Sequence, residues 1–262
     1  MKRIYSLFLS TLNYAVKREF EFKFNLIFFL IFNIIWILTS LAGISLVLKE
    51  AGTIAGWTRP QAMLLVLVYY ITGSIIKALV IPGADQLAQL VRTGGFDFYL
   101  LRPVDPQLLV SLTKMYPNQL ARLLIMAFAL PWYLGKLGLT VSFGSWILFT
   151  ILITLAVIAF YNLYFILASL SFWLQNIFNL NDLFAEILDV GKRTTDIFTG
   201  VAGGAVLFVI PVGLIATIPT KVLMGTVGWE ILPWLLVSNL ILFVISRKFF
   251  HFAIRFYSSA SS

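Results

Sequence analysis

Cysteine is absent from the 262 residues, and histidine occurs once, at His251. The first absence excludes disulfides, thiolate metal sites and a catalytic thiol. The second leaves nothing from which a histidine-rich metal site or a Ser-His-Asp triad could be built. Charge is scarce as well. Asp, Glu, Lys and Arg make up 11% of the chain, against roughly a quarter in an ordinary soluble domain. What fills the space is apolar: 60% hydrophobic residues, 16% aromatic, and a mean hydropathy of +0.96. A water-soluble globule and a disordered chain are both excluded, because that much apolar surface must be buried or face lipid. At about 20 residues per crossing, the length suits one membrane domain of about five to seven helices.

Long runs with few or no charges predict six spans, at about 24–48, 64–81, 123–139, 146–173, 198–217 and 231–246, within a single domain of 1–262. Lys2, Arg3, Lys17, Arg18, Glu19, Glu21 and Lys23 interrupt the first stretch, so no removable signal peptide is expected. Residues 1–23 instead show helical spacing, with Ile4, Phe8, Leu12, Val16 and Phe20 on one face and Ser6, Ser10, Asn13, Lys17 and Glu21 on another. A basic amphipathic helix of this kind lies in the membrane interface rather than across it. Pro211-Val212-Gly213 breaks the fifth run and predicts a kink or a re-entrant hairpin.

Six spans put both ends on one side. That side holds Lys2, Arg3, Lys17, Arg18, Lys23, Arg92, Arg102, Lys114, Arg122, Lys192, Arg193, Arg247, Lys248 and Arg255. The other holds Lys49, Arg59, Lys136 and Lys221, while Lys77 falls within a span. Fourteen against four places both termini in the cytoplasm, because cytoplasmic loops retain the excess of Lys and Arg. The same distribution accounts for the net charge of +8. The cations are spread along one membrane face and form no groove with aromatic stacking platforms, which argues against a nucleic-acid partner.

Chemistry inside the membrane is sparsely provided. A proton- or ion-coupled carrier generally needs intramembrane Asp, Glu or His, and here only Lys77 qualifies, either snorkelling to the cytoplasm or facing a pathway. Asn33, Asn162 and Asn176 are candidates for bonds between helices. Asn33, Thr39, Lys77, Pro211 and Gly213 are the polar or kinked positions expected to line a pathway. No Gly-x-x-x-x-Gly-Lys-Ser/Thr loop is present: Leu137 follows Lys136 and Arg193 follows Lys192. No ATPase activity is therefore expected of the chain by that route.

The loop between spans two and three stands out. Residues 85–92 read as a helix stopped by Gly94-Gly95, and Asp105-Pro106 read as an N-cap and first helical residue that restart one. Between them, Phe96-Asp97-Phe98-Tyr99-Leu100-Leu101-Arg102-Pro103 predicts a compact turn exposing an aromatic and leucine cluster, a docking knob. Residues 181–196 read as a short cytoplasmic helix with Leu183, Phe184, Ile187 and Leu188 on one side and Asp182, Glu186 and Asp189 in water.

The stretch Gly94-Gly95-Phe96-Asp97-Phe98-Tyr99-Leu100-Leu101-Arg102-Pro103 resembles the Gly-x-x-Asp-x-x-Leu-Leu-Arg-Pro signature of permease subunits of type-2 ATP-binding-cassette exporters. Val209-Ile210-Pro211-Val212-Gly213, with Ile218-Pro219 and Leu223-Met224-Gly225, is similar to the Ile-Pro…Pro…Gly pattern of that family's fifth span. Thr194-Thr195 depart from it, standing where relatives often carry Tyr-Pro. The resemblance implies an all-helical permease that pairs with a second permease, identical or homologous, and with two ATPase subunits. ATP and Mg would be used by those partners, with no cofactor bound here. Gly94, Gly95, Asp97, Tyr99, Leu100, Leu101, Arg102 and Pro103 would form the coupling element seated in the ATPase. The resemblance also implies a prokaryotic inner (plasma) membrane. The competing expectations are a self-contained channel or secondary transporter, and a membrane scaffold without transport.

Overall fold

The computed structural model describes residues 2–21, 23–174, 180–198, 200 and 212–257. Its helices, in chain order, are α1 (Lys2–Glu21), α2 (Lys23–Ala51), α3 (Arg59–Leu79), α4 (Ile81–Thr93), α5 (Asp97–Leu100), α6 (Pro106–Thr113), α7 (Asn118–Lys136), α8 (Phe143–Ser169), α9 (Leu180–Val190), α10 (Thr217–Leu223) and α11 (Leu232–Ile254). A two-stranded hairpin, Thr53–Ile54 with Trp57–Thr58, turns at Ala55-Gly56 and leads into α3. There Gln61 Oε1 accepts from the Thr58 N–H at 2.9 Å and Pro60 stands in the first turn, two signals of a helix start.

Among the described residues, four stretches are long and apolar enough to cross a bilayer: Ile27–Ala51, Arg59–Thr93, Phe143–Phe172 and Trp229–Ile254. They fall on the expected spans one, two, four and six. The segment expected as span three is α7, 19 residues long, packed along α3. α3 is the hub, with α2, α7, α8 and α10 against it and Leu64, Val68 and Ile76 fully buried. α11 runs along α8. The hairpin marks one end of the bundle, where Tyr133 at the far end of α7 donates to the Pro60 carbonyl. The opposite end carries α5, α6 and the last turns of α8 and α11, with Tyr257 packed against Phe96 and Phe172.

The expected fifth span, 198–217, lies for the most part outside the described residues, Pro211 included. The parts described are broken: a 3₁₀ turn at Val212–Leu214 containing buried Gly213, then the short α10. The reading of 181–196 is corrected at its far end: α9 keeps the expected apolar side, with Glu186 and Asp189 exposed, but the residues after it run to the hairpin instead of staying at the loop end. Phe184 and Leu188 are fully buried. Beyond them the chain climbs beside α3: the Tyr69 hydroxyl donates to Asp189 Oδ1 at 2.6 Å, and the Trp57 indole donates to Asp196 Oδ2 at 2.8 Å, at the hairpin end. Gly191 lies so close to Ile215 that a Cβ there would sit 2.7 Å from its Cδ1. The hydrophobic face of α9 was legible, but only the packing shows that it faces α8 and α4 inside the bundle. Lys192 and Arg193 accordingly line a pocket with Ile54 and Trp57 of the hairpin, away from the loop end.

Candidate functional site

Proline creates the bend that leads to the loop. Pro82 has no N–H to give to Ala78 four residues back, so the α3–α4 line breaks at Val80. The freed Ala78 carbonyl accepts instead from the Tyr116 N–H at 3.1 Å, which ties the bend to the start of α7. α4 then packs on α6 at Gly83, where an added Cβ would lie 2.8 Å from the Ser111 Cα. Only glycine permits so close a backbone approach.

Gly94 ends α4 in the left-handed conformation, φ 74°, which costs a non-glycine residue energy. Phe96, two residues on, is fully buried, edge-on to Phe172, Phe250 and Tyr257 with ring centroids 5.4–6.5 Å away. Expected in the exposed cluster, it is instead the peg that holds the loop. Tyr99 stacks on Phe96, and its hydroxyl accepts from Gln86 Nε2 at 2.8 Å. Gln86 in turn accepts from the Thr113 hydroxyl, 3.1 Å away on α6. Asp97 opens the single turn of α5, half-buried, and Gly95 is packed under Leu90.

The exposed surface is formed by Phe98 (70% exposed), Leu101 (82%), Leu100, Arg102 and Pro103. The exposed cluster predicted from the sequence therefore exists, with Phe98 as its one outward ring and Phe96 and Tyr99 turned inward. Its far end is held by Asp105, which caps α6 through Leu108 N–H at 3.0 Å and takes both terminal nitrogens of Arg247 at 2.6 Å. Arg247 also donates to Gln107 Oε1, and Gln107 Nε2, fully buried, donates to Ser246 on α11. Burial opposes ionisation of Asp105, but the Arg247 bonds and the Leu108 N–H outweigh it and hold the carboxyl below its usual range. A carboxylate lowered in the folded state contributes stability above its unfolded value, near 4, and loses it as pH falls. The stability gap between the native chain and Asp105→Asn is expected to be full at pH 7 and to close as thermal unfolding is followed down from pH 5 to pH 3. Arg247→Met, which leaves the carboxylate without its forked partner, is expected to lower stability by about 1.5–3 kcal/mol.

The positions expected to line a pathway separate. Asn33 is buried on α2 and accepts from Arg122 Nη2 on α7. Thr39 is exposed on α2 and bonds back to the Ile35 carbonyl. Lys77 is half-buried on α3, within electrostatic reach of Arg122, Asp189 and Lys192. Asn162, expected to bond between helices, is buried with no partner among the described residues, and Asn176 lies outside them. Sequence reasoning did not single out Gly83, Gln86 or Gln107. Nothing in the local pattern marks them, since each matters only through what α6 or α11 brings to it. Arg247 stood out only as one of the cations expected on the cytoplasmic face.

A bundle of long apolar helices with a rigid apolar loop at one end defines a polytopic integral membrane protein. Residues 34–261 match the model of the ABC-2 family transporter protein family, and the chain belongs to that family. Among curated proteins and solved structures, none matches. Membership makes the chain a membrane component of an ABC transporter and implies an ABC ATPase partner.

Proposed function

We propose that the chain is the transmembrane permease subunit of an ATP-driven exporter. It sits with both termini in the cytoplasm and works as a pair with a second permease, identical or homologous, on two ATPase subunits. In this reading it crosses a prokaryotic inner (plasma) membrane six times, residues 198–217 providing the fifth crossing. ATP and Mg belong to the partner; the chain binds neither and catalyses no reaction.

The observation that carries the proposal is the rigidity of the 94–105 loop. A hydrophobic knob transmits movement only if it does not collapse when pushed. Here it is pegged by Phe96, capped by Gly94 and pinned through Asp105 to Arg247, so displacement of Phe98 and Leu101 is passed to α4, α6 and α11 together. An apolar tip with Arg102 at its edge suits a groove of the same character on the ATPase. The test is co-expression with a genomically adjacent ATPase. Stoichiometric co-purification and ATP-dependent solute accumulation in inside-out vesicles are expected. Flux in liposomes containing this chain alone would favour a self-contained channel or carrier.

A further inference from the structure

The sequence places almost no ionisable group inside a span, yet folding gathers four. Lys192 pairs with Asp189 beyond α9, Arg122 of α7 lies over Tyr70 of α3, and Lys77 of α3 is within electrostatic reach of all three charges. Asp189 is already engaged: Lys192 Nζ donates to it at 2.8 Å and Tyr69 donates its hydroxyl. Lys192 also lies over the rings of Trp36 and Tyr69. Neither Lys77 nor Arg122 has a carboxylate at ion-pairing distance among the described residues. Arg122 is 8% exposed. It donates through Nη2 to Asn33, holds its guanidinium carbon 5.2 Å from the Tyr70 ring centroid, and has no partner for Nε. A neutral amide oxygen and a ring face offset only part of the cost of burying a cation. Lys77 follows Tyr70 by seven residues, on the same face of α3.

One helical turn towards the hairpin end, the same three helices enclose an apolar groove of about 660 Å³. Its nearest walls are Ile125 and Met126, three and four residues beyond Arg122, and Ile37, four beyond Asn33. Trp132 and Lys136 lie at its far end. Arg122 and Asn33 thus each stand one turn from this groove, whose own lining carries Arg59 and Lys136 at the hairpin end.

We propose that Arg122 and Lys77, with the groove between α2, α3 and α7, form a binding site for an anionic amphiphile with a phosphate or carboxylate head and an apolar tail. The head rests on the two cations and Asn33, and the tail runs between Ile37, Leu67 and Met126. That the bound molecule is cargo rests on the exporter reading; that it binds does not. The test is native mass spectrometry of the purified chain in neutral detergent, titrated separately with oleate, dioleoyl phosphatidylglycerol, dioleoyl phosphatidylcholine and oleyl alcohol.

The anionic probes are expected to bind one per chain, about tenfold or more tighter than the neutral or zwitterionic ones. Retention of oleate alone identifies a free amphiphile as the source, and retention of phosphatidylglycerol identifies the bilayer; either supports the site. Arg122→Gln and Lys77→Gln are expected to remove the preference for a negative head. Ala129→Trp, which fills the groove, is expected to weaken all four probes and guards against a folding defect in Arg122→Gln. Equal binding of oleate and oleyl alcohol, or anion preference unchanged in Lys77→Gln, overturns the proposal. Because no ATPase is present, failure here leaves the export reading standing, and failure of ATP-driven transport leaves this result intact.

Discussion

Replacing Phe98 and Leu101 together with aspartate is expected to reduce affinity for the ATPase subunit by at least about 100-fold, with the permease still folded and inserted. The two side chains are 70% and 82% exposed and support nothing within their own chain. Burying each at an interface is worth about 1.5–3 kcal/mol, and one tenfold change in affinity corresponds to about 1.4 kcal/mol. The substituted carboxylates add a desolvation cost of their own. Titration of the purified ATPase against the permease in detergent measures the loss directly. Phe96→Asp is the informative contrast, because that ring is fully buried against Phe172, Phe250 and Tyr257; it should damage the fold of the loop end itself. Full affinity in the Phe98/Leu101 double variant would remove the coupling role from this loop.

Gly83→Leu is expected to destabilise the chain by about 2–4 kcal/mol and to uncouple ATP hydrolysis from transport. The obstacle at this position is the Ser111 backbone, with Cα 2.8 Å and O 3.3 Å from where a Cβ would lie, and no flexible side chain is there to move aside. Overpacking a close contact typically costs 1–3 kcal/mol, and backbone displacement adds to it. α6 would have to withdraw from α4, pulling Gln107 and Asp105 off α11 and loosening the loop between them. Gly43→Ala on α2, where nothing lies within 4 Å, is the matched control and should change stability by less than about 0.5 kcal/mol. Thermal unfolding in detergent gives the first quantity. The ratio of ATP hydrolysed to solute moved, in vesicles carrying both subunits, gives the second.

How far the sequence reaches differs from element to element. The ends of the loop were legible because local chemistry writes them: Gly94 where a helix must turn left-handed, Asp105-Pro106 where one must begin. The apolar runs were legible because crossing a bilayer demands about 20 uncharged residues in a row. Phe96 was misjudged as exposed, since nothing in a run of three aromatics within four residues tells which ring turns inward. The segment at 181–196 was misjudged at its far end for a related reason. Four acidic residues and two cations satisfy a water-facing pattern just as well as a polar seam within a bundle, and only the partners Tyr69 and Trp57, more than 100 residues earlier, decide between them.

Composition and periodicity alone determined that this chain lives in a membrane, where its long apolar helices run and where an exposed aromatic and leucine turn stands, because those depend on residues adjacent along the chain. Tertiary structure decided which rings of that turn are peg and which are tip, that Arg247 holds Asp105, and that Arg122 is buried against Asn33 and the Tyr70 ring. These are pairings across about 50 to 160 residues, fixed by which helices pack together, and a burial cost or an electrostatic interaction arises only once both partners are in place.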